Sequence, residues 1–223
     1  MKRDTYLSID LDYWCDDAGS SRINSFFDQL LNETKVQKLY LVSSHEMLLS
    51  HIDSCDCVDL INVDFHSDLA DDAKCAEYIR PLKLNEGTWV NFVKWKNRKQ
   101  FNWYHPHPNK FSLDFGYCHA TINPFLDNKL ANTGWKKVVK TKGHLKDGIP
   151  WNKVAAVGIA ISYPWLLRGA QRHPFETVYS SVLPSLLGIK DIRKAETFAK
   201  QVKVRREIDL GLFEKRWNEL ASR

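Results

Sequence analysis

The chain has 223 residues, of which 43% are hydrophobic and 26% are charged, and its formal net charge is +5. This balance is typical of a globular protein and excludes a disordered one. Residues 1–9 are too polar for a signal peptide, and no apolar run approaches the roughly 20 residues of a membrane span, so we expect a cytoplasmic protein without a membrane partner.

The chain begins with an apolar segment that ends in acidic residues. Residues 6–14 predict a strand that brings Asp10 and Asp12 to the carboxyl edge of a sheet. Because side chains alternate along a strand, we expect both carboxylates on one face. Residues 23–31 carry apolar side chains at helical spacing and predict a helix that packs on the core.

Two more apolar segments follow, and each ends in polar residues. Residues 38–42 predict a strand that leads into a helix beginning near His45. Residues 58–63 predict a buried strand, and it is followed by three potential metal ligands, Asp64, His66 and Asp68. The first two share a face of the strand, and the third can join them where the strand opens into a loop.

The middle of the chain is rich in aromatic residues and turns. Residues 89–95 predict a helix with one buried face, and residues 101–117 predict strands or a hairpin beside the sheet. His105 and His107 alternate within this second segment. Their flanking prolines, without a nearby Cys or third His, favour a surface loop over a second metal pair.

The last part of the chain predicts two strands and then helices. Residues 135–142 and 153–162 indicate strands, of which the second is buried. Residues 175–187 predict a helix interrupted near Pro184, and residues 192–220 predict one or two amphipathic helices.

This alternation predicts one α/β domain over residues 1–223, with three layers (α/β/α), a mainly parallel sheet and a metal site at the carboxyl edge of its strands. The five cysteines have no framework spacing and are expected to be reduced thiols. Excess positive charge in the second half is typical of solvated helix faces, so nucleic acid is not the expected partner.

Six potential ligands gather at the predicted edge: Asp10, Asp12, His45, Asp64, His66 and Asp68. This set is too rich in oxygen for a structural zinc site. Four carboxylates packed together would repel each other unless cations were bound between them. Two divalent ions about 3.5 to 4 Å apart would resolve that conflict and activate water. Manganese suits the ligands best, although iron, zinc and cobalt stay open.

These motifs resemble those of the arginase or ureohydrolase superfamily. Residues 64–68 are similar to its Asp-x-His-x-Asp motif, residues 8–12 to its Ser-x-Asp-x-Asp motif, and Ser44-His45 to its upstream metal-binding His. In ordinary arginases the Asp-x-Asp strand comes second, whereas here it comes first, which implies a permuted sheet. That order, with the Glu-Gly-x-Trp segment at residues 86–89, resembles the UPF0489 family, which includes peptide arginases.

The resemblance implies an arginase/deacetylase-like fold and two Mn²⁺ ions per chain. It divides the six ligands into two bridging carboxylates (Asp10 and Asp64), a pair at one ion (His45 and Asp68) and a pair at the other (His66 and Asp12). The implied reaction converts arginine residues of a ribosomally made precursor peptide to ornithine, with release of urea.

The resemblance also implies roles beyond metal binding. Asp68 and Glu86 are the candidates for catalysis, and Glu86 is the candidate that holds the substrate guanidinium through charge-assisted hydrogen bonds. A helix-start carboxylate is the alternative role for Glu86. The proton donor to the leaving amine stays open among four histidines, His105, His107, His119 and His144.

Other functions fit the same residues. They include another ureohydrolase, a deacetylase-like amidohydrolase with one zinc ion, and a metal-dependent phosphoesterase, although no phosphate-gripping loop is evident. A module without catalysis would use its basic, aromatic second half to bind a peptide or nucleic acid. Loops that would grip free arginine are not recognisable, which favours arginine within a peptide; the oligomeric state stays open.

Overall fold

The computed structural model describes residues 2–14, 23–64, 68, 84, 86–105, 134–142, 148–163, 182–201 and 203–221. The strands are β1 (Thr5–Asp10), β2 (Lys38–Val42), β3 (Asp59–Val63), β4 (Gln100–His105), β5 (Lys137–Lys142), β6 (Val154–Ala160) and β7 (Arg205–Asp209). The helices are α1 (Ile23–Glu33), α2 (Leu49–Ser54), α3 (Leu183–Leu187), α4 (Ile192–Ala199) and α5 (Leu210–Ala221). No helix in these ranges is long and apolar enough to cross a membrane.

One sheet contains all seven strands, in the order β5-β4-β3-β1-β6-β2-β7. Its pairs are parallel except for β7, which runs antiparallel to β2 at one edge. The prediction of a mainly parallel α/β sheet is therefore confirmed. Because β3, β1, β6 and β2 are neighbours with one direction, their carboxyl ends lie side by side at one edge.

Alternate residues of β1 face opposite cores. Leu7 and Ile9 pack with side chains of α1, α3, α4 and α5 in one core. Tyr6 points to the other face and packs with Trp89 and residues of α2 in a second core. Buried layers on both faces of the sheet agree with the three-layer arrangement, whereas the arginase-like identity of the fold and its extent over residues 1–223 stay predictions.

Most of the predicted elements are confirmed, among them α1, β2, β3, β5 and β6. The cysteines in the described ranges, Cys55 and Cys57, are free thiols, as predicted. The aromatic segment after residue 88 is shorter than predicted, because Trp89–Phe92 form a single 3₁₀ turn.

The first strand is shorter than predicted. It ends at Asp10, and Leu11–Trp14 form a 3₁₀ turn instead of continuing the strand. The cause is local: the backbone N–H of Asp12 donates to Asp10 Oδ1 at 3.1 Å, a bond that bends the chain as Asp side chains do in turns. The alternation of side chains along a strand therefore does not determine the position of Asp12. Its side chain is nevertheless buried.

The strand predicted at the start of residues 101–117 is confirmed, but its predicted position beside the sheet is wrong. Gln100–His105 form β4 inside the sheet, parallel to both β3 and β5. Phe101 and Trp103 pack into one core and Tyr104 into the other, as in a strand covered on both faces. Residues 106–117, including His107, lie outside the described residues.

The C-terminal part contains a strand that the sequence did not reveal. Residues 192–220 form α4, β7 and α5 rather than helices alone. Strand β7 is charged and only Ile208 of it is buried, so it lacks the alternation that predicts a strand. An edge position tolerates such charges, and Lys38 on β2 pairs with Glu207 at 2.8 Å. Pro184 lies in the first turn of α3, where its missing N–H costs no bond.

The packing around β6 predicts a sensitive glycine. A Cβ atom at Gly158 would lie 2.3 Å from Tyr6 Oη and 2.8 Å from a Leu48 methyl carbon. We expect Gly158→Ala to lower the free energy of unfolding by about 1 to 3 kcal/mol, measured by urea denaturation, because both neighbours must move.

The matched control is Gly211→Ala in α5, where the nearest atom is Asp209 Oδ1 at 3.4 Å. This variant should keep its stability or gain up to about 1 kcal/mol, since alanine favours helix. A Gly158→Ala variant as stable as the Gly211→Ala variant would contradict the close packing of Tyr6 and Leu48 on β6.

Candidate metal centre

Four adjacent strand ends bring polar side chains to one point of the sheet edge. Strand β1 ends in Asp10, β3 leads into Asp64, β6 leads into Ser162, and a 3₁₀ turn after β2 begins at His45. Asp68 joins them from the segment after Asp64. All five residues are at most 4% exposed, so water is nearly excluded from the group.

The imidazole of His45 is the centre of this group. Its Nδ1 atom lies 3.2 Å from Asp10 Oδ2, 3.0 Å from Asp64 Oδ2 and 2.9 Å from Asp68 Oδ2. None of the three contacts has the direction of a hydrogen bond from an Nδ1–H group. The nitrogen therefore points between the oxygens, as it would towards a shared cation, and the donor set fits a metal ion.

The other imidazole nitrogen has a partner of its own. Nε2 of His45 lies 2.6 Å from Ser8 Oγ, which is also buried. With a single proton on Nε2, donated to this hydroxyl, Nδ1 would present its lone pair to a cation held among the three carboxylates. Metal-binding histidines are commonly oriented in this way by an oxygen acceptor.

The sheet explains how His45 reaches residues on β1. Strand β6 separates β1 from β2, and Ala160 is the β6 residue that pairs with both Asp10 and Val42. Its small side chain leaves room for an imidazole to extend from the turn after β2 across β6. A larger residue at this register position would separate His45 from Asp10.

The backbone of Asp64 is held by the neighbouring strand β4. Its N–H donates to the carbonyl oxygen of Tyr104 at 3.1 Å, and its own carbonyl oxygen accepts the indole N–H of Trp103 at 3.0 Å. Asp64 lies beyond the last residue of β3 but is still fixed as firmly as a strand residue.

Trp89 contacts two of the four ligands. Its indole N–H donates to Asp68 Oδ2 at 2.5 Å, and its ring centroid lies 4.7 Å from that of His45. The backbone N–H of Val90 also donates to the Asp68 carbonyl oxygen, at 3.3 Å. The turn at Trp89–Phe92 therefore places Asp68 against the other ligands.

Strained backbone is concentrated at the centre. Among the described residues, Asp68 (φ 53°) and Ser162 (φ 48°) are the non-glycine residues with left-handed φ. Ser162 donates its hydroxyl to Asp10 Oδ2 at 2.5 Å, so both strained residues contact the ligand group. Such strain persists only where surrounding structure enforces it, and it is common at functional sites.

The centre holds more negative charge than its surroundings compensate. Burial raises the pKa of Asp64 to about 7, and the charge of Asp68 acts in the same direction. Burial, followed by the charge of Asp12, raises the pKa of Asp10. Burial alone would lower the pKa of His45, but the charge of Asp68 and the contacts with the carboxylates outweigh it and raise that pKa well above its usual value. Protons and the hydrogen bonds from Asn62, Ser162 and Trp89 offset part of this charge, and a cation would offset it further.

Four of the six predicted ligands are brought together: Asp10, His45, Asp64 and Asp68. Ligand atoms of the first three lie within 4.8 Å of one another. Asp12 is buried beside Asp10, and neither its carboxylate nor that of Asp68 belongs to this group of three. His66 lies outside the described residues, as do three of the four candidate proton donors, His107, His119 and His144.

Other residues at the centre differ from expectation. Glu86 is exposed in the turn that precedes Trp89. Ser8 and Ser162 contact ligands directly, although no role was predicted for either hydroxyl. The position of Ser162 at the end of a buried strand was the available signal, and Trp89 was predicted only as a core residue.

Comparisons of the chain with protein-family models, with curated proteins and with solved structures found no match. The kind of site is therefore inferred from its geometry alone. The buried group of Asp10, His45 and Asp64 could hold a metal ion, and Asp68 places an oxygen 2.9 Å from His45 Nδ1.

The raised carboxylate pKa predicts an unusual pH dependence of stability. Between the unfolded pKa of 3.8 and the folded value of about 7, folded Asp64 holds a proton that unfolded Asp64 has lost. The metal-free protein therefore loses stability as pH rises through this range. Asp64→Asn removes the charge, so its stability advantage over the wild type should grow from about pH 5 to about pH 8.

This advantage is measured as a difference in melting temperature in the presence of a chelator. Added Mn²⁺ should stabilise the wild type and leave Asp64→Asn unchanged, because one ligand is lost. A wild type that is more stable than Asp64→Asn at high pH without metal would contradict the excess of buried negative charge.

The contacts of Trp89 predict a role in metal affinity. Trp89→Phe keeps an aromatic ring beside His45 but removes the N–H that orients Asp68, so Mn²⁺ should bind about 10-fold more weakly in a calorimetric titration. The matched control is Trp217→Phe, which removes an indole N–H bond to Asp28 Oδ1 (2.7 Å) in the opposite core. Equal Mn²⁺ affinities in the two variants would show that the Asp68 bond is irrelevant to the centre.

Proposed function

We propose that the chain is a hydrolase that uses two Mn²⁺ ions to convert arginine residues of a ribosomally made peptide to ornithine, with release of urea. The observation that carries the proposal is the convergence of three carboxylate oxygens on His45 Nδ1, at 2.9 to 3.2 Å. Three carboxylates with one imidazole form a site for a hard divalent cation, and manganese suits this set.

A second ion would need further ligands, and Asp12 and His66 are the predicted ones. Asp12 supports this assignment because it is buried and its N–H donates to Asp10 Oδ1 at 3.1 Å. After burial, its charge is the main cause of the raised pKa of Asp10, so the two carboxylates are close neighbours. A second cation would offset this repulsion.

When bound, the ions would supply a hydroxide nucleophile from water near neutral pH. The residues of the chain have three tasks around them. The carboxylates offset the positive charge of the ions, Ser8 keeps His45 in the orientation that binds metal, and Trp89 shields Asp68 and His45 from bulk water. Each task has a contact that supports it.

The exposed position of Glu86 agrees with a substrate that carries a guanidinium group. This residue is exposed three positions before Trp89, whose side chain contacts two ligands. An exposed carboxylate on this turn is accessible to a guanidinium group and can hold it by charge-assisted hydrogen bonds.

The proposal is tested by incubating the metal-loaded protein with arginine-containing peptides. We expect urea release and a mass loss of about 42 Da per converted residue, dependent on added Mn²⁺. Asp10→Ala should lose both activity and metal binding, because Asp10 is a ligand. Intact peptide in the presence of a fully loaded wild-type centre would refute the proposal.

A second candidate is an amidohydrolase with one metal ion, such as a deacetylase-like enzyme. One observation favours it: the donors that converge on His45 Nδ1 are sufficient for a single ion. Elemental analysis that gives one zinc per chain, together with hydrolysis of an acetyl-lysine peptide, would select this candidate. Two manganese ions per chain would select the first.

A further inference from the structure

Ser162 occupies a position that links two of the ligands. It lies two residues after the end of β6, between the ends of β1 and β2, and is 4% exposed. Its backbone N–H donates to the carbonyl oxygen of Ser43 at 3.0 Å, which extends the pairing of β6 with β2 to the residues just before His45. Its hydroxyl donates to Asp10 Oδ2 at 2.5 Å on the other side.

The Asp10 carboxylate is consequently fixed through both of its oxygens. Oδ1 accepts the backbone N–H of Asp12 at 3.1 Å, and Oδ2 accepts the hydroxyl of Ser162. The same Oδ2 atom lies 3.2 Å from His45 Nδ1. Two hydrogen bonds from opposite ends of the carboxylate leave it no free rotation, and they hold Oδ2 at the meeting point of the donors.

The backbone conformation of Ser162 supports a specific role for its hydroxyl group. Ser162 has a φ of 48°, a left-handed conformation that glycine adopts at lower cost than serine. A glycine would end β6 equally well and would relieve the strain. Serine differs from glycine at this position by its hydroxyl group. That hydroxyl donates to the carboxylate of Asp10.

We propose that Ser162 is a positioning residue that holds the Asp10 carboxylate in the orientation that binds metal. This inference rests on the metal centre of the proposed function but not on the identity of the substrate. It assigns a role to the end of β6, from which none of the predicted ligands comes.

The test uses Ser162→Gly and Ser162→Ala in the full chain. Both variants lose the hydroxyl, but only glycine also relieves the left-handed backbone. We expect both to bind Mn²⁺ about 10- to 100-fold more weakly in a calorimetric titration, as for other residues that orient metal ligands. Without metal, the melting temperature of Ser162→Gly should equal or exceed that of the wild type, and that of Ser162→Ala should be lower than that of Ser162→Gly.

A purely structural role would give a different pattern. Ser162→Gly would then lose melting temperature while keeping its Mn²⁺ affinity, and this result would overturn the proposal. An unchanged Mn²⁺ affinity with a raised KM for an arginine peptide would also overturn it, because the hydroxyl would then contact the substrate. The control is Ser185→Ala in α3, a fully buried serine whose helix packs into the opposite core; its Mn²⁺ affinity should not change.

Direct measurement of Mn²⁺ binding separates this proposal from the proposed reaction. A wild type that binds Mn²⁺ but releases no urea refutes the peptide arginase activity, and a weakened Ser162→Gly variant still supports the role of Ser162. Equal binding by wild type and Ser162→Gly refutes the role of Ser162 even if urea is released. A wild type that binds no Mn²⁺ refutes both.

Discussion

The repulsion among three buried carboxylates around one imidazole nitrogen is the constraint on which the centre depends. Asp10, Asp64 and Asp68 all place an oxygen within 3.2 Å of His45 Nδ1, where water is almost excluded. Charges in such surroundings are expensive unless they are paired. Burial raises the pKa values of Asp10 and Asp64, and the carboxylates outweigh burial to raise that of His45, so protons offset part of the charge when no cation is bound. A cation at this point would offset it further.

The parallel sheet makes this arrangement possible. Parallel neighbours end at the same edge, so β1 and β3 deliver Asp10 and Asp64 side by side. His45 arrives from β2, across β6, and the small Ala160 at the register position between β1 and β2 leaves the space it needs. The second core adds Trp89, which holds Asp68 by a hydrogen bond and packs on His45. Both the edge of the sheet and one of its faces therefore contribute to the centre.

The sequence predicts the convergence of Asp10, His45 and Asp64 because these residues obey local rules. Asp10 ends an apolar strand, Asp64 directly follows one and His45 follows one after two serines, and the carboxyl ends of parallel strands meet. Asp12 is buried beside Asp10, as predicted, but the alternation of side chains along a strand is not the cause. Its position depends on a turn that is closed by the hydrogen bond from its N–H group to Asp10. Strand β7 was missed because an edge strand with one buried residue carries no periodic signal.

The residues that orient the ligands were harder to predict, because their contacts connect distant parts of the chain. The hydroxyl of Ser162 meets Asp10 across a sequence separation of 152 residues, and the indole of Trp89 meets Asp68 across 21. No short motif encodes such contacts; they follow from the strand order, which places β6 beside β1, and from a turn that covers the second core. The strain at Asp68 and Ser162 follows from the same cause, since long-range contacts hold both backbones in a conformation that their local sequence does not favour.

The origin of the ligands in separate segments also links metal binding to folding. His45 and the Ser8 that orients it are 37 residues apart, and each remaining ligand follows a different strand or loop. These side chains converge only after β1, β2, β3 and β6 have assembled, so the unfolded chain contains no equivalent site. A cation that binds only the assembled edge stabilises the whole sheet by its binding free energy. The local cost of packing Asp10, Asp64 and Asp68 together would thus be offset by a bound cation, and the charge that weakens the metal-free fold would strengthen the loaded one.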